Sequence, residues 1–260
     1  MFERLIGSRR TVGKFVVVLG VAAGMLALTS YARDLGKWEQ HSEKRPAPEK
    51  VKPGDSWSDA PSDAIVLFEG DDLSEWQSGD GSKPKWKVKD NYMEVVPGTG
   101  SIKTKKTFGD AQLHVEWATD PEAEGHGQHL SNSGVFFGSY EIQVLDTYEN
   151  ETYADGYAGA LYGQYPPLVN ASRPTGEWQT FDIIYRRPRF KDGEVVQPAT
   201  FTVFHNGVLV QDAEELVGPT SHGKRTPYRK HGDLPVSLQD HGHKLRFRNI
   251  WIRELDESKR

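Results

Sequence analysis

Cysteine is absent from this sequence, and its absence excludes several kinds of protein. Without a thiol among its 260 residues, the chain forms no disulfide bond, no thiolate metal site and no cysteine nucleophile. It also lacks the cysteine that a lipoprotein anchor requires. Because exported proteins often depend on disulfides, an exported domain of this composition must be held by its core alone or by a bound ion.

An excess of positive charge is lacking as well. The 32 Lys and Arg residues are outnumbered by 37 Asp and Glu residues, which gives a formal net charge of −5. Nucleic acid is therefore not an expected partner, because its binding usually requires a basic surface. The 7 Trp, 10 Tyr and 11 Phe residues suffice for one core, and 26 Gly with 15 Pro indicate the many turns of an all-β fold.

Long hydrophobic runs are scarce, and the clearest one lies near the N-terminus. Phe15–Leu28 is apolar over 14 residues, fewer than the roughly 20 that a membrane span needs. It follows a basic start and precedes Ser30–Ala32, whose small residues suit signal peptidase. Residues 1–32 are thus predicted to be a signal peptide for the export machinery, which predicts a periplasmic or secreted protein. An uncleaved membrane anchor is the alternative.

The export route and the next segment can also be interpreted from the sequence. Arg9-Arg10 resembles a twin-arginine export signal, although two arginines can also meet by chance in a basic start. Residues 33–62 are rich in Lys, Glu, Pro, Asp and Ser, so they are predicted to be a flexible linker. The folded domain is predicted over 63–255, with a polar tail at 256–260.

The domain itself has the pattern of a β-sandwich or barrel. Leu113, Val115 and Trp117 alternate with polar residues, as in a half-buried strand. Asn206-Gly207 separates two β-rich runs, which is a strong hairpin signal. Other predicted strands are 65–68, 92–96, 135–137, 140–145, 178–185 and 245–252. No amphipathic helix of 12 or more residues is evident after residue 32, so the fold class is all-β.

Two stretches are too long to be simple turns. Residues 148–176 and 212–235 carry aromatics, prolines and glycines rather than plain charge. Long loops in compact domains are usually functional or disordered, and this composition favours ordered loops that wall a pocket. Tyr162 and Tyr165 in the first loop are candidates for stacking on a sugar, unless they only cover the sandwich edge.

Polar residues in the strand 140–145 form the first candidate site. Glu141 and Gln143 share one face of a strand, where burial would be costly without partners. That face is either a binding surface, with Asn132 nearby, or a solvated outer face. Asp146 follows at the strand end as a ligand-binding carboxylate or a turn residue.

A second candidate site is the segment Leu238–His243. His241 can act as a general acid or base near neutral pH, and the segment can equally be a polar hairpin loop. Gln239 and the alternating Arg246 and Arg248 are candidates for contacts to a ligand, the arginines alternatively pairing with carboxylates. No HExxH or EF-hand spacing is present, so a dedicated zinc or EF-hand calcium site is not indicated.

These segments together resemble the 3-keto-disaccharide hydrolase domain family over about residues 63–255. The matching pieces, in order, are 67–76, 107–117, 132–134, 140–146, 159–162, 176–180, 238–242 and 246–251. The resemblance implies a concanavalin-like jelly roll of two antiparallel sheets. It also implies a carbohydrate substrate whose C3 hydroxyl is oxidised to a ketone, with Trp178 as a candidate substrate-binding residue. Gln179 departs from the Asn or His that is common in the family, at a position expected to border the site.

The implied substrate predicts a mechanism. A C3 ketone acidifies the C2 proton, so a base can remove it and the glycosidic oxygen can leave by β-elimination, with or without later hydration. Glu141 is predicted as the base, with His241 as acid or base. Asp146, Gln143 and Arg248 are predicted to orient the sugar or stabilise the enolate. One divalent ion at Glu141 and His241 is a further option. A non-catalytic carbohydrate-binding module is the alternative function, and an envelope structural or adhesion domain is another.

Overall fold

The computed structural model describes residues 38–256. The predicted signal peptide, the start of the predicted linker at 33–37 and the end of the predicted tail at 257–260 lie outside the described residues. The chain divides into two units, residues 1–48 with residue 260, and residues 49–259. In the first unit, the backbone N–H groups of Ser42 and Arg45 close turns on the carbonyls of Glu39 and Ser42, at 3.1 and 3.2 Å.

The second unit is built from strands, as its alternating apolar pattern predicts. Its strands among the described residues are β1 Ile65–Phe68, β2 Trp76–Ser78, β3 Lys87–Lys89, β4 Tyr92–Glu94, β5 Ile102–Thr104, β6 Ala111–Ala118, β7 Ser133–Phe137, β8 Tyr140–Val144, β9 Trp178–Arg186, β10 Arg189–Lys191, β11 Glu194–Gln197, β12 Thr200–His205, β13 Val208–Glu215, β14 Val236–Leu238 and β15 Arg246–Glu254. Two short 3₁₀ helices, Gly127–His129 and Ala154–Gly156, lie in loops. Across 38–256, no helix has the length and apolar character to cross a membrane.

The strands form two main sheets in which neighbours run antiparallel. The eight-stranded sheet has the order β13-β12-β9-β6-β15-β4-β3, and β1 also pairs with β15. The five-stranded sheet has the order β2-β5-β14-β7-β8, while β10 and β11 form a separate hairpin. This arrangement confirms the predicted all-β jelly-roll sandwich. The predicted Asn-Gly hairpin is also confirmed, because Asn206 and Gly207 adopt φ values of 51° and 79° between β12 and β13.

An aromatic layer holds the two sheets together. Phe137 of the five-stranded sheet stacks on Tyr185 of the eight-stranded sheet, with ring centroids 4.3 Å apart. Phe137 also contacts Phe201 of β12, and Tyr140 contacts Tyr185. These side chains are buried. Because side chains alternate along a strand, their neighbours on the same strands, such as Phe136 and Glu141, point outward.

Part of the predicted linker contacts the eight-stranded sheet. The Ser58 carbonyl accepts hydrogen bonds from Asn249 Nδ2 at 3.0 Å and from Trp251 Nε1 at 2.8 Å. Trp57 packs edge-on against His114 of β6, with ring centroids 5.8 Å apart. The flexible linker was predicted from composition, which measures how much apolar surface a segment can bury. The two hydrogen bonds depend on a main-chain carbonyl, which composition does not reveal.

Replacing Phe137 by alanine should destabilise the domain strongly. Deleting a buried ring leaves a cavity and typically costs about 3–5 kcal/mol. We expect a loss of this size in the free energy of unfolding, measured by urea denaturation. The control is Val196→Ala, at a side chain that is 62% exposed, where the change should stay within about 0.5 kcal/mol. Equal losses in both variants would contradict the role of the aromatic layer.

Candidate active site

One row of side chains crosses the five-stranded sheet on the face turned away from the core. The register aligns one residue from each strand in this row. Along the row lie Glu141, Phe136, Ser237, Lys103 and Gln77. Their chain neighbours, such as Tyr140 and Ile142, belong to the core. The predicted shared face of Glu141 and Gln143 is therefore the outer face of this sheet.

Glu141 is the unusual member of the row, because its carboxyl group is buried without a partner. The residue is 8% exposed, and no described residue forms an ion pair or a hydrogen bond with its carboxylate. Burial alone raises the pKa of Glu141 to about 8, since the charged form loses its hydration. A carboxyl group of this kind is a candidate acid or base near neutral pH.

Gly134 makes room for this carboxyl group. It lies on β7 opposite Gln143, in the row beside that of Glu141. A Cβ atom on Gly134 would come 2.6 Å from the Phe136 ring and 2.7 Å from Glu141 Oε1. Both distances are too short for non-bonded atoms, so any larger residue would displace the ring or the carboxylate.

A hydrogen-bonded amide network adjoins Glu141. Gln143 Nε2 donates to Gln128 Oε1 at 3.1 Å and to Asn132 Oδ1 at 3.2 Å. Asn132 Nδ2 donates to the same Gln128 Oε1, also at 3.1 Å. Gln239, directly after β14, lies beside Gly134 and therefore in the row of Gln143, because its N–H donates to the Gly134 carbonyl at 3.0 Å. The structure thus brings together the predicted residues Glu141, Gln143, Asn132 and Gln239.

Two acceptors in this group have no partner within the described part of the chain. Gln143 Oε1 and Gln239 Oε1 are buried and accept no hydrogen bond there. A buried polar atom without a partner is costly, so both amides have an unmet need for a hydrogen-bond donor beside the row of Glu141. Gln128 was not predicted from the sequence, because it lies in a loop without a periodic pattern.

The two long loops form a cleft next to this face. It has a volume of about 330 Å³, and the loops bond to the strand of Glu141. Tyr162 N donates to the Glu141 carbonyl at 3.3 Å, and Glu141 N donates to Thr220 Oγ1 at 3.1 Å. The cleft residues are Tyr153, Asp155, Tyr162, Gly163 and Ser221–Arg225. The prediction that both stretches wall a pocket is therefore confirmed, although residues 212–215 of the second belong to β13.

Three side chains in the cleft form a hydrogen-bonded chain. The hydroxyl groups of Tyr153 and Tyr162 bond to each other, and Tyr162 Oη lies 3.4 Å from His222 Nδ1. Burial raises the pKa of Tyr153, with further contributions from the Tyr162 hydrogen bond and from the charge of Glu141. Tyr162 was predicted as a site residue, whereas Tyr153 and His222 were not, since single residues in loops carry no distinguishing spacing.

Comparison with known proteins decides the family of the chain. The 3-keto-alpha-glucoside-1,2-lyase-like domain family matches residues 63–253. The chain belongs to this family. A crystal structure of a candidate glycosyl hydrolase from Parabacteroides distasonis ATCC 8503 is similar, with 44% identity, a TM-score of 0.80, and coverage of 83% of this chain and 95% of that chain. No curated protein matches the chain.

A second candidate glycosyl hydrolase from Parabacteroides distasonis ATCC 8503 is more distant. It is 22% identical, with a TM-score of 0.54 and coverage of 74% of this chain and 94% of that chain, so it supports the fold alone. Membership of the 3-keto-alpha-glucoside-1,2-lyase-like family, together with the 44% identical structure, supports a carbohydrate-active function for the domain.

The structure shows no direct bond between His241 and Glu141. It is exposed and stacks on His243, with ring centroids 6.1 Å apart. His243 Nε2 lies 3.1 Å from the His129 carbonyl. Within 38–256, neither a hydrogen bond nor an ion pair connects His241 to Glu141, and no group of three or more His, Asp or Glu side chains could hold a metal ion. The metal site predicted at Glu141 and His241 therefore stays a prediction.

Asp146 and Tyr165 have contacts that support the loops. Asp146 Oδ2 accepts from Thr119 Oγ1 at 3.1 Å, and its Oδ1 accepts from Tyr148 N at 3.4 Å. Both carboxylate oxygens of Asp146 thus have partners within the protein, and its role toward a ligand stays a prediction. Tyr165 packs against the core, and its N–H donates to the Leu161 carbonyl at 3.0 Å.

Arg248 and Trp178 lie on the other sheet. Arg248 Nε donates to Glu116 Oε2 at 2.7 Å, and its guanidinium lies 4.0 Å from the centre of the Trp178 ring. These three residues alternate with core residues of β15, β6 and β9, so they face outward from the eight-stranded sheet. The structure therefore does not bring Arg248 and Trp178 to Glu141, and the arginine instead pairs with a carboxylate.

The raised pKa of Glu141 predicts how stability depends on pH. With a pKa of about 8 when folded and about 4.5 when unfolded, Glu141 retains in the native state a proton that the unfolded chain releases. The stabilisation is complete below about pH 4.5 and is lost as pH rises to about 8, by at most about 1.4 kcal/mol per pH unit. Urea denaturation between pH 5 and 8 should show this decline.

Glu141→Gln removes the titrating group and should remove this decline. The matched control is Glu69→Gln, which changes an exposed carboxylate and should keep the pH dependence of the natural protein. A decline that persists unchanged in Glu141→Gln would show that another group causes it.

Proposed function

We propose that this domain is a carbohydrate-active enzyme that cleaves 3-keto-glycosides, with Glu141 as the base. The observation that carries the proposal is the buried, unpartnered carboxyl group of Glu141, whose pKa burial raises to about 8. Membership of the 3-keto-alpha-glucoside-1,2-lyase-like family supports the substrate class. The nearby cleft and the free amide oxygens support the binding of a polar ligand.

The proposed reaction begins at C2 of the oxidised sugar. The Glu141 carboxylate takes the C2 proton, and the electron pair of the C–H bond passes into the adjacent ketone as an enolate. The enolate then forms the C1=C2 double bond as the C1–O bond breaks, and the glycosidic oxygen leaves with the bonding pair and acquires a proton. Addition of water to the resulting enone gives net hydrolysis.

Burial of Glu141 suits this step. A carboxylate with a pKa of about 8 is a stronger base than an ordinary one, and it is still substantially ionised at a slightly alkaline pH. Rotation of the Gln143 and Gln239 side chains on substrate binding would let their unpartnered Oε1 atoms accept hydrogen bonds from sugar hydroxyls and so hold the ring beside Glu141. His241 receives no role, because it is exposed and has no bond to Glu141.

The proposal predicts selective cleavage of an oxidised substrate. The natural protein should release nitrophenol from 4-nitrophenyl 3-keto-glucoside and not from the unoxidised glucoside. Comparison of the rates with and without a chelator tests the option of a divalent ion. Binding of both sugars without cleavage of either would instead support a non-catalytic carbohydrate-binding module.

Glu141→Gln should lose cleavage. Removal of a general base typically lowers the rate about 10²–10⁴-fold, and the exchange of the C2 proton with deuterated water should fall equally. In the natural protein, kcat/KM should rise with pH and level off above about pH 8, where Glu141 is ionised. Glu69→Gln is the matched control. Full activity in Glu141→Gln would exclude it as the base.

A further inference from the structure

We propose that Tyr162, hydrogen-bonded between Tyr153 and His222, donates the proton to the glycosidic oxygen as it leaves. This inference rests on the proposed function, which needs an acid in addition to the base at Glu141. His241 does not line the cleft, whereas several other proton-bearing side chains do. Among these side chains, Tyr153, Tyr162 and His222 are linked by hydrogen bonds, and Tyr162 also pairs with Glu141 through its backbone.

Tyr162 is placed next to the base by the backbone. Its N–H donates to the carbonyl of Glu141 at 3.3 Å, so the two residues lie side by side on adjacent chain segments. Their chain neighbours Leu161 and Ile142 also form an antiparallel β-bridge. Burial, the Tyr162 hydrogen bond and the charges of Asp155 and Glu141 together raise the pKa of Tyr153. Base and proposed acid therefore border the same part of the molecule.

The contacts of Tyr162 fit the chemistry of an acid. A sugar alkoxide is far more basic than a phenolate, whose parent phenol has a pKa of about 10, so proton transfer from Tyr162 to the leaving oxygen is downhill. As the C1–O bond breaks, its electron pair stays on oxygen and binds the Tyr162 proton. The resulting phenolate accepts the hydrogen bond of the Tyr153 hydroxyl, and the exposed His222 returns a proton from solvent.

The tyrosine pair is not explained by stability. The Tyr153 side chain is 46% exposed, and a hydrogen bond between partly exposed hydroxyls adds little to the free energy of folding because water competes for both groups. Each hydroxyl also faces the cleft rather than a buried acceptor. A role toward a ligand in the cleft accounts for the pairing.

Two leaving groups test the proposal. Nitrophenolate leaves without protonation, whereas methoxide needs an acid. Tyr162→Phe should therefore lose about 10²-fold or more on methyl 3-keto-glucoside and only a few-fold on the 4-nitrophenyl compound. Tyr153→Phe should also lower the ratio of the rate on the methyl compound to the rate on the 4-nitrophenyl compound, but by a smaller factor. The matched control is Tyr148→Phe, because Tyr148 lies in the same loop and has the same 46% exposure, and its ratio should not change.

The outcomes separate this inference from the proposed function. If the natural protein cleaves both compounds and Tyr162→Phe slows them equally, or slows neither, then Tyr162 is not the acid. Retained C2 proton exchange in Tyr162→Phe is also expected, since exchange needs only the base, and its loss would contradict the assignment. If the natural protein cleaves neither compound, the proposed function fails and this inference fails with it.

Discussion

The aromatic layer between the two sheets is the constraint on which the rest of the structure depends. The stacking of Phe137 on Tyr185 fixes β7 relative to β9, and the burial of Tyr140 fixes the next strand. Since side chains alternate along each strand, this inward set determines the outward set. The positions of Glu141 and Gln143 on one free face are a geometric result of how the core packs.

Burial has opposite effects on the fold and on the site. An unpartnered carboxyl group at Glu141 disfavours its own ionised form, and the same desolvation makes the carboxylate a better base. Gly134 maintains this balance, because its missing side chain leaves space for the carboxylate without supplying a partner. Perturbed acids of this kind are a common sign of functional sites, since selection for stability alone would pair or replace them.

The sequence predicted the elements better than their assembly. The alternation in β6, the Asn-Gly hairpin and the two long loops were evident because each is a local pattern. Periodicity also placed Glu141 with Gln143. Periodicity could not show which sheet contains Arg248. Alternation shows which residues share a face of one strand, but it does not show which strands pair with that strand. Gln128, Tyr153 and His222 come from loops, where only the folded chain shows that they meet.

The carbonyl of Ser58 shows that the limits of a family and the limits of a cooperative unit need not coincide. The family match begins at residue 63, yet two donors on the eight-stranded sheet have their acceptor five positions earlier. A protein trimmed to the matched range would leave an indole N–H and an amide on the sheet to be satisfied by water. A main-chain group outside the matched range therefore completes the hydrogen bonding of the sheet, even though its side chain gives a family model nothing to match.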